Sequence, residues 1–197
     1  MQPSREPGRI DRRPVYRGRI VNLSVDTVRF PDGSVGELEF MAHAGASCVL
    51  PVVGSLDAED PDILLLRQYR YAAGGVLWEV PAGMPDREGE PWDECARREL
   101  EEETGRRAGA LRPLTRIHTT PGFTDEVIHL WLASELEDGT AELDDDEFVE
   151  VVQLPLSEAL EMVRDGTITD CKSVATLLYA ACFVFGGNSR RDGRIAP

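Results

Sequence analysis

The sequence predicts a mixed α/β domain carrying a β-rich N-terminal piece, and three observations support this. From Tyr16 to Val53 the text reads as strands: YRGRIVNLSVDTVRF, the turn PDGS, ELEFM, then SCVLPVV. PDG between two alternating runs is a hairpin signal. Further on, strand-like runs are interleaved with helical ones, the strongest being a helix that ends in ARRELEEETG. That alternation is the mark of a mixed sheet covered by helices.

Each later element has its own signal. DILLLRQYR is a strand, and VLWEVPAG is another that ends at Pro81. Pro91 suits a first helical position, with Asp93 and Glu94 in the first turn, where the helix dipole favours acids. The helix runs from about Pro91 to Thr104 and stops at Gly105, a good C′ residue. Strands follow near Leu114–His118 and Val127–Ala133, and the acidic stretch EDGTAELDDDE precedes the strand FVEVVQL. Two helices close the chain, PLSEALEMVRDG and a second from Asp170 to Phe185. The predicted organisation is a flexible start over 1–15, a β-rich subdomain over 16–55, the main α/β domain over 56–185, and a disordered tail over 186–197.

Composition excludes several function classes. A chain of 197 residues with 42% hydrophobic content can bury a core. A formal charge of −15 offers no broad basic surface, so nucleic acid is not an expected partner. The same charge repels anionic substrates, so any phosphate chemistry needs a local rescue by metal or arginine. Cys48, Cys95, Cys171 and Cys182 form no CxxC pair and read as small apolar fillers in a reducing compartment. The start MQPSREPGRIDRRP has no apolar core of a signal peptide, and the run Val174–Phe185 is shorter than the roughly 20 residues of a bilayer span. The expected location is the cytoplasm, with no membrane partner.

The segment Ala96–Gly105 poses an electrostatic puzzle. Glu99, Glu101, Glu102 and Glu103 crowd the end of a helix where partial negative charge already resides. Glu99 and Glu103 are also like charges at i,i+4. At about 100° per residue, Glu99, Glu102 and Glu103 share one face while Glu101 points elsewhere. A hydrated acidic face is one reading. The other is a site for hard divalent cations, which would cancel both penalties.

The longer text PAGMPDREGEPWDECARRELEEETG decides between them, because it resembles the Nudix box of the Nudix hydrolase superfamily. That box is G, five residues, E, seven residues, then R-E-U-x-E-E-x-G-U with U aliphatic. Gly83, Glu90, Arg98, Glu99, Leu100, Glu102, Glu103 and Gly105 match. Two departures are visible: six residues separate Gly83 from Glu90, and Arg106 replaces the last aliphatic residue. The resemblance implies a Nudix α/β/α sandwich with a mixed sheet. It implies Mg²⁺ or Mn²⁺, two or three ions per site, held by Glu99, Glu102, Glu103 and the Ala82 carbonyl. Arg98 and Glu90 would form a bracing ion pair, with Gly83 and Gly105 as structural glycines.

RQYRYAAGGVLWEVPAG before the box and TTPGFTDE after it, with Pro121 sixteen positions beyond Gly105, are similar to the ADP-ribose pyrophosphatase branch. The stretches HAGA and DCKSVATLLYA fit the same branch, so the resemblance covers roughly residues 16–185. It implies hydrolysis of ADP-ribose to AMP and ribose 5-phosphate by a homodimer with exchanged N-terminal segments. Glu147 in the acidic loop is the expected general base, with Asp145 and Asp146 beside it, while Glu102 and Arg98 complete the catalytic set. Arg67 suits phosphate through its fork, with structural salt bridging as the alternative. Arg70 is a weaker candidate. Glu79, Met84, Phe123 and Thr124 are candidate substrate contacts, Pro121 a turn former. Alternatives within the fold are a pyrophosphatase for GDP-mannose or a dinucleotide, and a non-catalytic ligand sensor.

Overall fold

The structure is a computed structural model, and it describes residues 6–143 and 148–186. Two compact units divide the described chain: one holds the residues up to Gly45 together with His118–Val127, the other Ala46–Ile117 with the residues from Ile128 on.

The first unit is built on a three-stranded antiparallel sheet of β1 (Gly8–Arg17), β2 (Asn22–Arg29) and β3 (Val35–Ala42), in that order. The PDGS turn joins β2 to β3 as expected, closed by Asp32 accepting from the Ser34 amide and hydroxyl. β1 corrects the sequence reading, which expected a loose start through residue 15 and one continuous strand from Tyr16. Pairing along β2 recruits this polar segment, and Arg12 fixes it by forking both oxygens of Asp26 at 2.7 and 2.6 Å while covering the Phe40 ring. A turn closed by Gly18 N–H on the Val21 carbonyl then separates β1 from β2. Among the described residues, this unit buries no hydrophobic side chain.

The second unit holds a seven-stranded mixed sheet. Its main path is β10 (Val149–Pro155), β5 (Asp62–Arg70), β4 (Ala46–Val53), β9 (Val127–Asp138) and β8 (Arg106–His118). β6 (Gly75–Glu79) adds to β5, and β7 (Ala82–Gly83) adds to β4. β4 runs parallel to β9 and antiparallel to β5. Its residues are buried nearly throughout, as expected of a strand covered on both faces. Strand alternation sorts them: Cys48, Leu50 and Val52 join Ile63, Leu65, Leu156, Ala159, Leu177 and Ala180, while Val49 joins Leu100 and Ala133. Leu100 lies on α1 (Trp92–Thr104), and the other group includes residues of α2 (Leu156–Arg164) and α3 (Cys171–Ala180). The result is the expected α/β/α sandwich.

Three boundaries differ from expectation. Pro91 is the extended N-cap rather than the first helical residue, and α1 begins at Trp92. β8 begins at Arg106, eight positions before the expected Leu114, because Gly105 turns the chain straight into the sheet. α3 gives way to a π-helical turn over Ala181–Phe185. The tail lies outside the described residues from 187 onward. Among the described residues, no helix is long and apolar enough to cross a membrane.

Candidate active site

α1 and β7 bring the box residues together. Gly105 ends the helix in the left-handed conformation, φ 66°, with its N–H on the Glu101 carbonyl. This left-handed C′ position is one that glycine enters without a Cβ penalty. Leu100 points into the core, so Glu99 and Glu103 are carried to the flank that meets β7. Glu103, only 3% exposed, accepts the Ala82 amide at 2.8 Å. Glu99 packs against Gly83 so closely that a Cβ there would lie 2.0 Å from its Oε1.

Arg98 is the hub. Its Nη1 lies 2.8 Å from both Glu99 Oε1 and Glu102 Oε2, and its Nη2 donates to the Met84 carbonyl at 2.8 Å. Glu90 meets the same guanidinium at 3.4 Å through both oxygens. Burial disfavours the Glu90 charge, but Arg98 and the Asp86 amide outweigh it and hold the carboxyl below its ordinary range. Burial likewise opposes the Arg98 charge, and Glu90, Glu99 and Glu102 overcome it, raising the guanidinium pKa far above its usual value. The inserted loop residue is absorbed here: the chain from Met84 curls round the Glu90 carboxylate, and Gly89 closes the curl at φ 78°. The second departure is also accommodated, since Arg106 opens β8 at the surface and pairs with Asp138.

The donor chemistry fits a hard dication: three carboxylates from one helix, plus backbone oxygens from β7 and the loop after it. Gly83 leaves space where any side chain would displace Glu99. As the side chains stand, Glu99 and Glu102 turn to Arg98, and among the described residues no three acidic, histidine or cysteine groups are arranged round a common point.

The remaining candidates are spread more widely. Met84 is exposed, its carbonyl held by Arg98. Arg67 pairs with Glu150 at 2.7 Å on the surface and lies over the Trp78 ring. Phe123, Thr124 and Pro121 belong to the first unit, where the Phe123 carbonyl accepts the Met41 amide at 2.7 Å and Thr124 bridges to Met41. Glu147 lies outside the described residues, as do Asp145 and Asp146.

Sequence reasoning named Glu79 and Arg70 singly but missed the cluster that joins them to Lys172 and Asp170. Glu79, 2% exposed at the end of β6, accepts Arg70 Nε and Nη2 at 2.8 Å each. The same carboxylate accepts the Lys172 ammonium, which is 3.0 Å from Asp170. Asp170 caps α3 through the amide and hydroxyl of Ser173, and that hydroxyl receives the Val80 amide at 2.8 Å. Burial pushes the Glu79 carboxyl up, but Arg70 and Lys172 more than offset this and leave it low; burial pushes Lys172 down, and Asp170 with Glu79 leave it high. One signal was available: Lys172 is the sole lysine of the chain.

Fold and box together define a hydrolase of the α/β/α sandwich class built on a carboxylate helix. Residues 49–172 match the NUDIX domain family, and the chain belongs to it: it is a Nudix hydrolase. It is 36% identical to an ADP-ribose pyrophosphatase of Bacillus subtilis (strain 168), over 89% of this chain and 93% of that protein. It is 37% identical to a methanol dehydrogenase activator of Bacillus methanolicus, over 84% of this chain and 87% of that one. A solved structure titled as an ADP compounds hydrolase shares the fold, with a TM-score of 0.76 at 23% identity, over 89% of this chain and 92% of that chain.

Proposed function

We propose that the chain hydrolyses the pyrophosphate bond of ADP-ribose, giving AMP and ribose 5-phosphate, with a divalent metal ion as cofactor. The observation that carries the reading is the set of α1 carboxylates against β7, with Glu103 on the Ala82 amide and Glu99 in the space left by Gly83. The B. subtilis relative supports the substrate. The relative named as a dehydrogenase activator does not weigh against hydrolysis here, because every acid of the box is present.

Glu99, Glu102, Glu103 and the Ala82 carbonyl would hold Mg²⁺ or Mn²⁺, two or three ions per site, which when bound supply Lewis acidity toward the diphosphate and the attacking water. The chain's own residues do the positioning. Arg98 keeps Glu99 and Glu102 in fixed orientation and braces the loop through Glu90. Arg67, Met84, Phe123 and Thr124 are the proposed substrate contacts and Glu147 the proposed base, while Glu79, expected to be a fifth contact, is buried and acts through Arg70. Water adds its hydroxyl to one phosphorus while the bridging oxygen leaves with the other phosphoryl group, and its remaining proton ends on the products. The active species is a homodimer with exchanged N-terminal segments. Supporting this is a first unit that buries no hydrophobic side chain among its described residues, yet exposes Ile10, Val15, Tyr16 and Ile20.

The test is turnover by purified protein of ADP-ribose, GDP-mannose, NADH and 8-oxo-dGTP, each with magnesium, manganese or a chelator. ADP-ribose is expected to give AMP and ribose 5-phosphate in equal amounts, and only with metal present. A much faster reaction with another substrate, or undiminished turnover in chelator, would overturn the reading.

A further inference from the structure

Arg70 and Lys172 approach one carboxylate from two sides, and the electrostatic consequence reaches past the packing of α3. The Arg70 side chain is 40% exposed and commits Nε and Nη2 to Glu79, so its fork is held in one orientation. Its partner Glu79 ends β6 just before Pro81 and Ala82, and the Ala82 amide is held by Glu103, so the Arg70–Glu79 pair adjoins the strand that meets the box acids. An arginine neutralised by one private carboxylate has little attraction left for an anion. Glu79 is not private to Arg70: Lys172, 12% exposed, takes a share of its charge. Asp170, the other partner of Lys172, also caps the N-terminus of α3, where the helix dipole favours its charge. The cluster therefore balances two cations against two anions, and without Lys172 it would set one cation against two anions, in a chain of net charge −15.

We propose that Lys172 is a positioning residue: by sharing Glu79 with Arg70 it fixes the Arg70 fork and keeps the cluster from turning net negative toward an anionic diphosphate, a role that rests on the hydrolase reading above. Lys172 touches no reacting atom and acts through Glu79 and Arg70. The effect belongs to binding, so it falls on KM rather than on kcat.

The experiment compares wild type, K172M, K172R and K172Q for thermal midpoint, kcat and KM with ADP-ribose. K172M is expected to raise KM about tenfold with kcat within about twofold, and K172R to return KM close to wild type. In a chain already carrying R70M, K172M should change KM by less than about twofold, since the route through Arg70 is gone. An unchanged KM in folded K172M, or an equal KM rise with and without R70M, overturns the proposal. Should K172M fail to fold, K172Q keeps a donor to Glu79 without the charge, and the same KM rise is required of it. If wild type turns over none of the substrates, the hydrolase reading fails separately. Calorimetry with ADP then decides the role of Lys172: about tenfold weaker binding in K172M supports it, and equal binding overturns it.

Discussion

Gly83 and Glu99 are in such close apposition that a methyl group on the glycine would overlap the carboxylate, its carbon falling 2.1 Å from Glu99 Cδ. The obstacle is the far end of a flexible side chain, so the fold can accommodate G83A by moving Glu99 aside. G83A is expected to keep its thermal midpoint within a few degrees and to lose about 100-fold in kcat/KM, because displacement of a positioned group by an ångström costs about that much. Steady-state kinetics beside a melting curve checks both halves, and wild-type kinetics would remove Glu99 from the site.

Glu103 separates a hydrogen bond from a charge. In E103Q the amide oxygen still accepts the Ala82 N–H, so stability should change by less than about 1 kcal/mol; E103A orphans that N–H and should cost about 1–3 kcal/mol. Turnover should fall at least about 100-fold in both variants if the charge is what matters. Urea unfolding and kcat measured on the same preparations distinguish the two contributions.

The Glu79–Lys172 pair gives stability a defined pH window. Glu79 is held low in the folded chain, so its contribution is complete above the unfolded value of about 4.3 and is lost as pH falls through the folded one. Lys172 is held high, so its contribution is complete below about 10.4 and is lost as pH rises through the folded value. The stability gap between wild type and E79Q should be flat from about pH 6 to pH 9 and should narrow in acid. A series of urea melts across pH reads it.

The cysteines should divide evenly. Cys48 and Cys95 are buried, and burial pushes their thiols up to about 12 and about 11, where almost no thiolate exists at neutral pH. Cys171 and Cys182 are exposed. A thiol reagent should label two groups quickly in the native protein and the other two only after denaturant is added. Rapid labelling of all four would contradict the placement of β4 and α1.

What could be read from the sequence was what local chemistry encodes. The box helix, its glycine stop and the PDGS hairpin each have signals within a few residues of one another, and all three stand where expected. β1 could not be read this way: GRIDRRPVYR has no alternation, and its reason for being a strand is the partner β2 and the Asp26 carboxylate. Arg67 and Arg70 illustrate the same limit within one motif. They stand within one turnless run of β5, yet Glu150 takes one and Glu79 the other, and those partners depend on which strands flank β5. Lys172 reaches Glu79 from the far end of the chain, a contact that no spacing rule anticipates.

The parallel pairing of β4 with β9 has a consequence for the order of events during synthesis. β4 lies at the centre of the main sheet, but its parallel neighbour is not made until α1 and β8 have already emerged from the ribosome. The nascent chain therefore carries its carboxylate helix for some time beside an open, apolar strand edge. Contacts this distant along the chain close slowly, so this interval is when the protein is most exposed to aggregation and gains most from a chaperone.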